Sequence, residues 1–279
     1  MTICDLSFPH PSVLLVTLNK PERLNCLPIL GHKELENVWR WMDLNPNITV
    51  GIITGSGRAF CGGADLRGQS PYITPIILQL IRLPFAKEWA NTPVKDQGWL
   101  PPSGFGGIST RTGRKPIIAA VNGMSVGGGT EMVVNCDIAV ASEDAKLILP
   151  DVKVGLTVLG GALPRLVRTI GRQRATLMSL TGRPILARQA LEWGLVSVIA
   201  KDPVEEAIRI ATEIVENSPD ALLATRDGLL MGWNGMGADE AGRYFVEKWW
   251  PCLQSGNNSK EGVNAFLERR QPRWVPSKL

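Results

Sequence analysis

The stretch that most constrains the fold is residues 115–151, where the hydrophobic pattern changes period twice. It begins with a continuous apolar run over residues 116–122, which predicts a buried strand. Three glycines at 127–129 follow, and the apolar residues after Thr130 recur at helical spacing. Another short apolar run at 137–141 predicts a second strand. This order of strand, glycine turn, helix and strand indicates an α/β fold.

Two carboxylates, Glu131 and Asp151, follow the glycine turn in sequence. A glycine turn that opens a helix exposes unpaired backbone N–H groups, which stabilise a bound anion or an oxyanion that forms during a reaction. Paired carboxylates beside such a site suit proton transfer next to a carbonyl. The residues alone leave a second interpretation open. The glycines would then serve a close strand–helix contact, Glu131 would favour the first helical turn, and Asp151 would cap a turn.

Composition argues against several classes of site. The five cysteines are scattered without a CxxC pair, so neither a disulfide framework nor a zinc site is expected. The two histidines, His10 and His32, lie away from the glycine turn, which leaves a Ser-His-Asp device poorly supported. A net charge of +4 permits an anionic ligand without demanding nucleic acid. With no apolar run near the roughly 18 residues that span a bilayer, we expect no membrane association.

Three blocks of sequence, in this order along the chain, resemble the signature regions of the crotonase (enoyl-CoA hydratase/isomerase) superfamily. The first is residues 51–66, GIITGSGRAFCGGADL. The second is residues 115–151, with KPIIAAVNG, GGGTE and NCDIAVAS. The third, residues 155–200, carries spaced Gly-Leu, Gly-Gly and Leu-Pro-Arg-Leu elements. The resemblance covers nearly the whole chain. Within the superfamily, the chain is most similar to enoyl-CoA hydratases of the peroxisomal type.

The resemblance implies an α/β fold built as a crotonase-like spiral of ββα units over residues 1–200. Helical periodicity at 28–44 and from 203 onward fits that fold, and residues 201–279 would form a C-terminal helical trimerisation region. A homotrimer or a dimer of trimers is expected. The insert at 68–114, rich in Pro and Gly, is longer than the family pattern. It would shape the acyl pocket as a lid or binding loop, or else form a surface excursion or oligomer contact.

The implied chemistry is that of an acyl-CoA thioester, with coenzyme A as part of the substrate and no other cofactor. The thioester oxygen would lie between the N–H groups of Ala64 and Gly128, and Glu131 and Asp151 would be catalytic. Acyl-CoA contacts are implied at Arg23, Ala59, Ala64, Asp65, Leu66, Arg67, Gly127, Gly128, Phe266 and Arg269.

One departure from the family concerns Asp151, where hydratases usually carry Glu. Aspartate is one methylene shorter, so the backbone would move in, a water would intervene, or the chemistry would differ. Because Glu131 is retained, hydration of a 2-enoyl-CoA, or the reverse dehydration, is the first expectation, and enoyl-CoA isomerisation is the alternative. An RNA-binding relative is a further alternative, which the modest charge and the lack of an RNA motif disfavour.

The last three residues, Ser277, Lys278 and Leu279, match a peroxisomal address that an import receptor recognises. We therefore expect the protein in the peroxisome, with the import receptor as a partner.

Overall fold

A six-stranded sheet forms the centre of the protein, in a computed structural model that describes residues 3–65 and 100–279. Its strands are β1 Cys4–His10, β2 Val13–Leu18, β3 Val50–Gly55, β5 Ile117–Val121, β7 Ile138–Ser142 and β10 Val198–Ala200. They are arranged in the order β1-β2-β3-β5-β7-β10. β1 pairs antiparallel with β2, and the other neighbours are parallel. The α/β class predicted from the sequence is confirmed.

A second sheet of four short strands was not predicted by the sequence pattern. Its strands, in sheet order, are β4 Ala59–Cys61, β6 Met124–Val126, β8 Lys146–Ile148 and β9 Ile185–Leu186. Strands of two or three residues are too short to show a period of two, which explains why they were missed. This sheet positions the candidate site, because β6 ends directly before the glycine turn and β4 ends three residues before Ala64.

Helices surround the two sheets and dominate the last third of the chain. Among the described residues they are α1 Ile29–Leu44, α2 Gly128–Asn135, α3 Ala162–Ile170, α4 Arg172–Thr181, α5 Ala187–Trp193, α6 Pro203–Val215, α7 Pro219–Trp233, α8 Ala238–Ser255 and α9 Asn257–Leu267. None of the helices in these described ranges is both long enough and apolar enough to cross a membrane. The helix predicted at 28–44 is confirmed to within one residue.

The central parallel strands β3, β5 and β7 are buried on both faces, as parallel strands usually are. Ile52 and Ile118 are fully buried on the face that packs against Ala207 of α6. Ile53 and Ala119, which alternate with them along the strands, belong to the main core on the other face. This alternation follows from the period of two along a strand, and it explains the continuous apolar runs in the sequence.

A polar contact ties the C-terminal helices to the sheet. Arg226 of α7 donates from Nε to Asp137 at 2.8 Å and from Nη1 to the Gly113 carbonyl at 2.6 Å. The second oxygen of Asp137 accepts the Ile117 N–H at 2.8 Å. The predicted division at residue 200 falls between β10 and α6, and α6 itself covers the sheet.

Candidate active site

The glycine turn between β6 and α2 has a backbone conformation that only glycine adopts readily. Gly127 has φ 51° and ψ −119°, outside the regions open to residues with a side chain. Its N–H donates to the Ile148 carbonyl at 2.9 Å, which fixes the turn against β8. The chain then enters α2 directly at Gly128, so the first N–H groups of the helix point out of its N-terminal end.

The two backbone N–H groups expected to hold an oxyanion lie on neighbouring segments. A Cβ built on Gly63, the residue before Ala64, would lie 3.7 Å from the Gly128 nitrogen. Within residues 3–65 and 100–279, neither the Ala64 nor the Gly128 N–H has a hydrogen-bond acceptor. Gly128 is buried and Ala64 half-buried, and N–H groups in such places are rarely left without a partner, so the two side by side mark a place for a ligand oxygen.

The segment that carries Ala64 is held in place by hydrogen bonds on either side of it. The Leu27 N–H donates to the Gly63 carbonyl at 2.9 Å, and the Asp65 N–H donates to the Leu27 carbonyl at 2.9 Å. The buried Asp65 carboxylate forms an ion pair with Arg23 at 2.8 Å. Two predicted acyl-CoA contacts are thereby joined, and Asp65 directs its side chain to Arg23.

Glu131 lies in the first turn of α2 with 4% of its surface exposed. Its Oε1 accepts the Ala162 N–H at 3.5 Å, at the start of α3. Burial raises the pKa of Glu131 to about 7, and the nearby Asp151 charge adds to the rise, while backbone N–H groups of Ala162 and Gly160 oppose it. A carboxyl group with this pKa exchanges protons readily at neutral pH.

Asp151 also approaches the glycine turn. It begins the short 3-10 turn Asp151–Val154, and both of its carboxylate oxygens would lie 3.5 Å from a Cβ built on Gly127. Its Oδ2 is buried and has no hydrogen-bond partner among the described residues. Burial also raises the pKa of Asp151 above its ordinary value. The shorter side chain therefore still reaches the turn, and one of its oxygens is available to a ligand or a water.

The glycines also provide the close contacts that the second interpretation required. A Cβ on Gly128 would lie 2.3 Å from the Phe105 ring, and a Cβ on Gly129 would lie 2.4 Å from the Cys61 carbonyl oxygen. The glycine turn therefore combines close packing with an N–H group, that of Gly128, that has no acceptor among the described residues. The structure brings Ala64, Gly127, Gly128, Glu131 and Asp151 together, an arrangement that suits proton transfer beside a thioester carbonyl.

The other predicted contacts fall at different places. Ala59 is buried in β4, and its carbonyl accepts the Asn25 side-chain amide at 2.7 Å. Phe266 is 82% exposed near the end of α9, a helix that packs against α7 and α8. Arg269 is exposed just beyond that helix, so contacts of this pair with acyl-CoA stay a prediction. Leu66 and Arg67 lie outside the described residues, as does the insert from 68 to 99.

Residues 104–110 belong to the insert that was expected to shape the acyl pocket, but sequence reasoning named none of them as site residues. Phe105 packs on Gly128, and Ser109 is fully buried near Glu131. The one signal was the glycine-rich run after Pro101 and Pro102, which marks a tight turn without showing where it packs. In the described part of the chain, no three His, Cys, Asp or Glu side chains are grouped so that they could hold a metal ion.

The raised pKa of Glu131 makes a prediction about stability. Its pKa is about 7 in the folded protein and about 4.5 for an ordinary glutamate, so between these two pH values the folded protein holds a proton that the unfolded chain has released. The stabilising contribution of Glu131 to the free energy of unfolding is therefore fully present below about pH 4.5, and it is lost as the pH rises through about 7. Glu131→Gln, which cannot ionise, should gain stability relative to the wild type across that window, by up to about 3 kcal/mol.

Urea unfolding of both proteins at several pH values between about 5 and 8 measures this difference. Glu192→Gln, which changes an exposed glutamate on α5, is the matched control for the loss of a carboxylate. A difference between Glu131→Gln and wild type that stays constant over the whole pH range would contradict the burial of an ionisable group at this position.

Comparisons with known proteins agree with this geometry. The family model described as enoyl-CoA hydratase/isomerase matches residues 10–90 and 108–276. Mevalonyl-coenzyme A hydratase sidH of Aspergillus fumigatus is 43% identical over 279 residues, covering 99% of this chain and 96% of that protein. The 2,3-dehydroadipyl-CoA hydratase of Escherichia coli is 33% identical over 264 residues, 93% of this chain and 94% of that protein.

A solved structure supports the same assignment. The enoyl-CoA hydratase of Mycobacterium tuberculosis superimposes with a TM-score of 0.84 at 30% identity, covering 99% of this chain and 100% of that chain. The resemblance to the crotonase superfamily noted in the sequence is thus confirmed over 99% of the chain, and its similarity to the peroxisomal type stays a prediction. The chain belongs to the enoyl-CoA hydratase/isomerase (crotonase) family, and it is an acyl-CoA enzyme of the hydratase type.

Proposed function

We propose that this protein catalyses the reversible hydration of a 2-enoyl-CoA thioester at the site formed by Ala64, Gly128, Glu131 and Asp151. The observation that carries the proposal is the placement of two carboxyl groups with raised pKa values, one buried and one half-buried, beside two backbone N–H groups that have no acceptor among the described residues. The substrate class we propose is a 3-methyl-branched acyl-CoA of the mevalonyl type. The support is the 43% identity to sidH, whose name gives mevalonyl-coenzyme A as its substrate.

The Ala64 and Gly128 N–H groups bind the thioester oxygen in the proposed reaction. As water adds at C3, the double-bond electrons move toward the thioester and negative charge develops on that oxygen. Preorganised donors favour this enolate over the uncharged substrate, and one such donor is typically worth about 3 kcal/mol of barrier. The N-terminal end of α2 adds a favourable dipole.

Glu131 and Asp151 hold the reacting water between them. One ionised carboxylate takes a proton from the water as its oxygen bonds to C3, and the other carboxyl group, protonated, delivers its proton to C2. Two carboxyl groups with raised pKa values suit this division, because each holds a proton to higher pH than an ordinary carboxyl group does. The proton count balances, since water loses one proton to the pair and C2 receives one from it.

A substrate panel tests the proposed reaction. The purified protein should convert 5-hydroxy-3-methylpent-2-enoyl-CoA to a product heavier by the mass of one water, and it should dehydrate the matching 3-hydroxyacyl-CoA. Straight-chain 2-enoyl-CoA thioesters serve as comparison substrates, and mass spectrometry measures every product. A protein that adds water to none of the branched or straight-chain thioesters would contradict the proposal.

Import into peroxisomes through Ser277, Lys278 and Leu279 also stays a prediction. Leu279 packs beside Trp249, and Arg114 donates a hydrogen bond to its carbonyl oxygen. A receptor that binds the tripeptide would first have to release this contact. Deleting residues 277–279 should move a fluorescently tagged protein from peroxisomes to the cytosol, whereas unchanged puncta would show that another signal directs it. The expected trimer, or dimer of trimers, is likewise a prediction.

A further inference from the structure

The loop that carries Phe105 and Ser109 is tightly folded beneath the candidate site. Gly104, Gly106 and Gly107 all have φ between 60° and 76°, which lets the chain reverse within a few residues. The Phe105 N–H donates to Ser109 Oγ at 2.7 Å, and the Ser109 N–H donates to the Phe105 carbonyl at 3.2 Å. These two reciprocal hydrogen bonds fix the position of the Ser109 hydroxyl oxygen.

Helix α1 anchors this loop from below. The Gly106 N–H donates to His32 Nδ1 at 3.1 Å, and the Trp39 indole donates to the Gly106 carbonyl at 3.0 Å. Burial lowers the pKa of His32 to about 4, so the ring is neutral and can accept that hydrogen bond near neutral pH. The His32 ring also contacts the Phe105 ring edge to face, with centroids 4.5 Å apart. The loop is therefore rigidly placed.

Ser109 Oγ lies close to the Glu131 carboxylate. A Cβ built on Gly160 would be 2.6 Å from Ser109 Oγ and 3.0 Å from both Glu131 oxygens. The hydroxyl and the carboxylate therefore both lie against Gly160, where a side chain of even one carbon would be too close to Ser109. No hydrogen bond joins the two groups.

The Ser109 hydroxyl accepts a hydrogen bond but donates none to the described residues. Ser109 has 0% of its surface exposed, and its oxygen already accepts the Phe105 N–H. Among residues 3–65 and 100–279 the hydroxyl has no acceptor for its own proton. The adjacent Thr110, by contrast, donates its hydroxyl proton to the Pro102 carbonyl at 2.9 Å. A buried O–H without an acceptor, next to a proposed catalytic carboxylate, points to a polar group of the substrate.

We propose that Ser109 selects the acyl group, by donating its hydroxyl proton to a hydroxyl group on the acyl chain two carbons beyond the reacting C3. This inference rests on the proposed hydratase function. The 5-hydroxyl oxygen of a 3-methylpentanoyl chain lies about 3–4 Å from C3, given carbon–carbon bonds of about 1.5 Å. That reach suits a hydroxyl that lies, like the Glu131 carboxylate, close to Gly160. An alkyl chain without this oxygen would leave the Ser109 proton unpaired.

The test compares two substrates that differ in one oxygen, 5-hydroxy-3-methylpent-2-enoyl-CoA and 3-methylpent-2-enoyl-CoA. The wild type should prefer the 5-hydroxy substrate. Ser109→Ala should lower kcat/KM for that substrate by about 10- to 100-fold and change kcat/KM for the 5-deoxy substrate by less than about threefold. The ratio of the two values is the decisive readout, because any general loss of folding lowers both equally.

Two further variants complete the comparison. Ser109→Cys replaces the hydroxyl by a slightly larger thiol, which is a weaker donor. Like Ser109→Ala, it should reduce the preference for the 5-hydroxy substrate. Thr110→Val is the matched control, since that hydroxyl proton is already used within the loop, and it should keep the wild-type ratio.

Three results would overturn the role of Ser109. They are an equal fall for both substrates in Ser109→Ala, no change for either, or a wild type that hydrates both thioesters with preference for the 5-deoxy one. In each of these the hydratase proposal survives. A wild type that hydrates neither these thioesters nor any straight-chain 2-enoyl-CoA would instead refute the proposed function, and the role of Ser109 with it.

Discussion

Replacing Glu131 by Gln or Asp151 by Asn should lower kcat/KM for hydration at least about 100-fold, the usual scale for a group that transfers a proton in the transition state. Both changes nearly preserve side-chain shape, so the loss should come without unfolding. Because the two groups act on one water, the double variant should be little slower than the slower single variant. Steady-state kinetics of the four proteins, with thermal melting to confirm folding, measures this non-additivity.

The alternative of an isomerase gives a different pattern. An enzyme that moves a proton with one base would keep most of its double-bond-shifting activity in one of the two amide variants. Fully additive losses in the double variant would contradict the shared water, because additivity indicates independent groups. Asp144→Asn, an exposed aspartate between β7 and β8, is a matched control and should keep wild-type rates.

Gly128→Ala should lower kcat by about 10²- to 10³-fold, the scale of losing one oxyanion donor. The added methyl group would lie 2.3 Å from the Phe105 ring, so either the ring or the Gly128 backbone must move. The N–H itself remains, but its direction changes. Gly232→Ala is the control, because a Cβ on Gly232 in α7 meets nothing within 4 Å. That variant should have wild-type activity.

Combining the Gly128 variants with Phe105→Ala distinguishes a displaced Gly128 N–H from a missing one. Removing the ring makes room for the methyl group, so Gly128→Ala should recover part of its activity relative to Phe105→Ala alone. Gly128→Pro in the same background lacks the N–H and should not recover, although proline is tolerated at the first position of a helix. Equal activity of these two double variants would contradict a role for the Gly128 N–H.

The sequence predicted the elements whose patterns are long enough to carry a period. The helix expected at 28–44 is observed at Ile29–Leu44, and the strand expected at 116–122 is observed at Ile117–Val121. The second sheet was missed because strands such as Met124–Val126 have only three residues. Its existence depends on pairing between distant segments, which local patterns do not report.

The candidate site shows the same division between local and distant information. Glu131 and the glycine turn could be found from the sequence, since they lie within a few residues of each other. That the shorter Asp151 still approaches Gly127 could not be predicted, because it depends on how the turn after Pro150 lies beside the glycine turn. The approach of Phe105 to Gly128 was equally hidden, as it joins segments more than twenty residues apart.

Hydration in water labelled with oxygen-18 tests the central claim most directly. The wild type acting on 5-hydroxy-3-methylpent-2-enoyl-CoA should place one labelled oxygen on C3. Glu131→Gln and Asp151→Asn should each incorporate the label at least about 100-fold more slowly than the wild type. Mass spectrometry of the hydrolysed product locates the label. Label that still enters in Asp151→Asn but not in Glu131→Gln would contradict the shared-water account, as would a wild type that shifts the double bond without taking up any label.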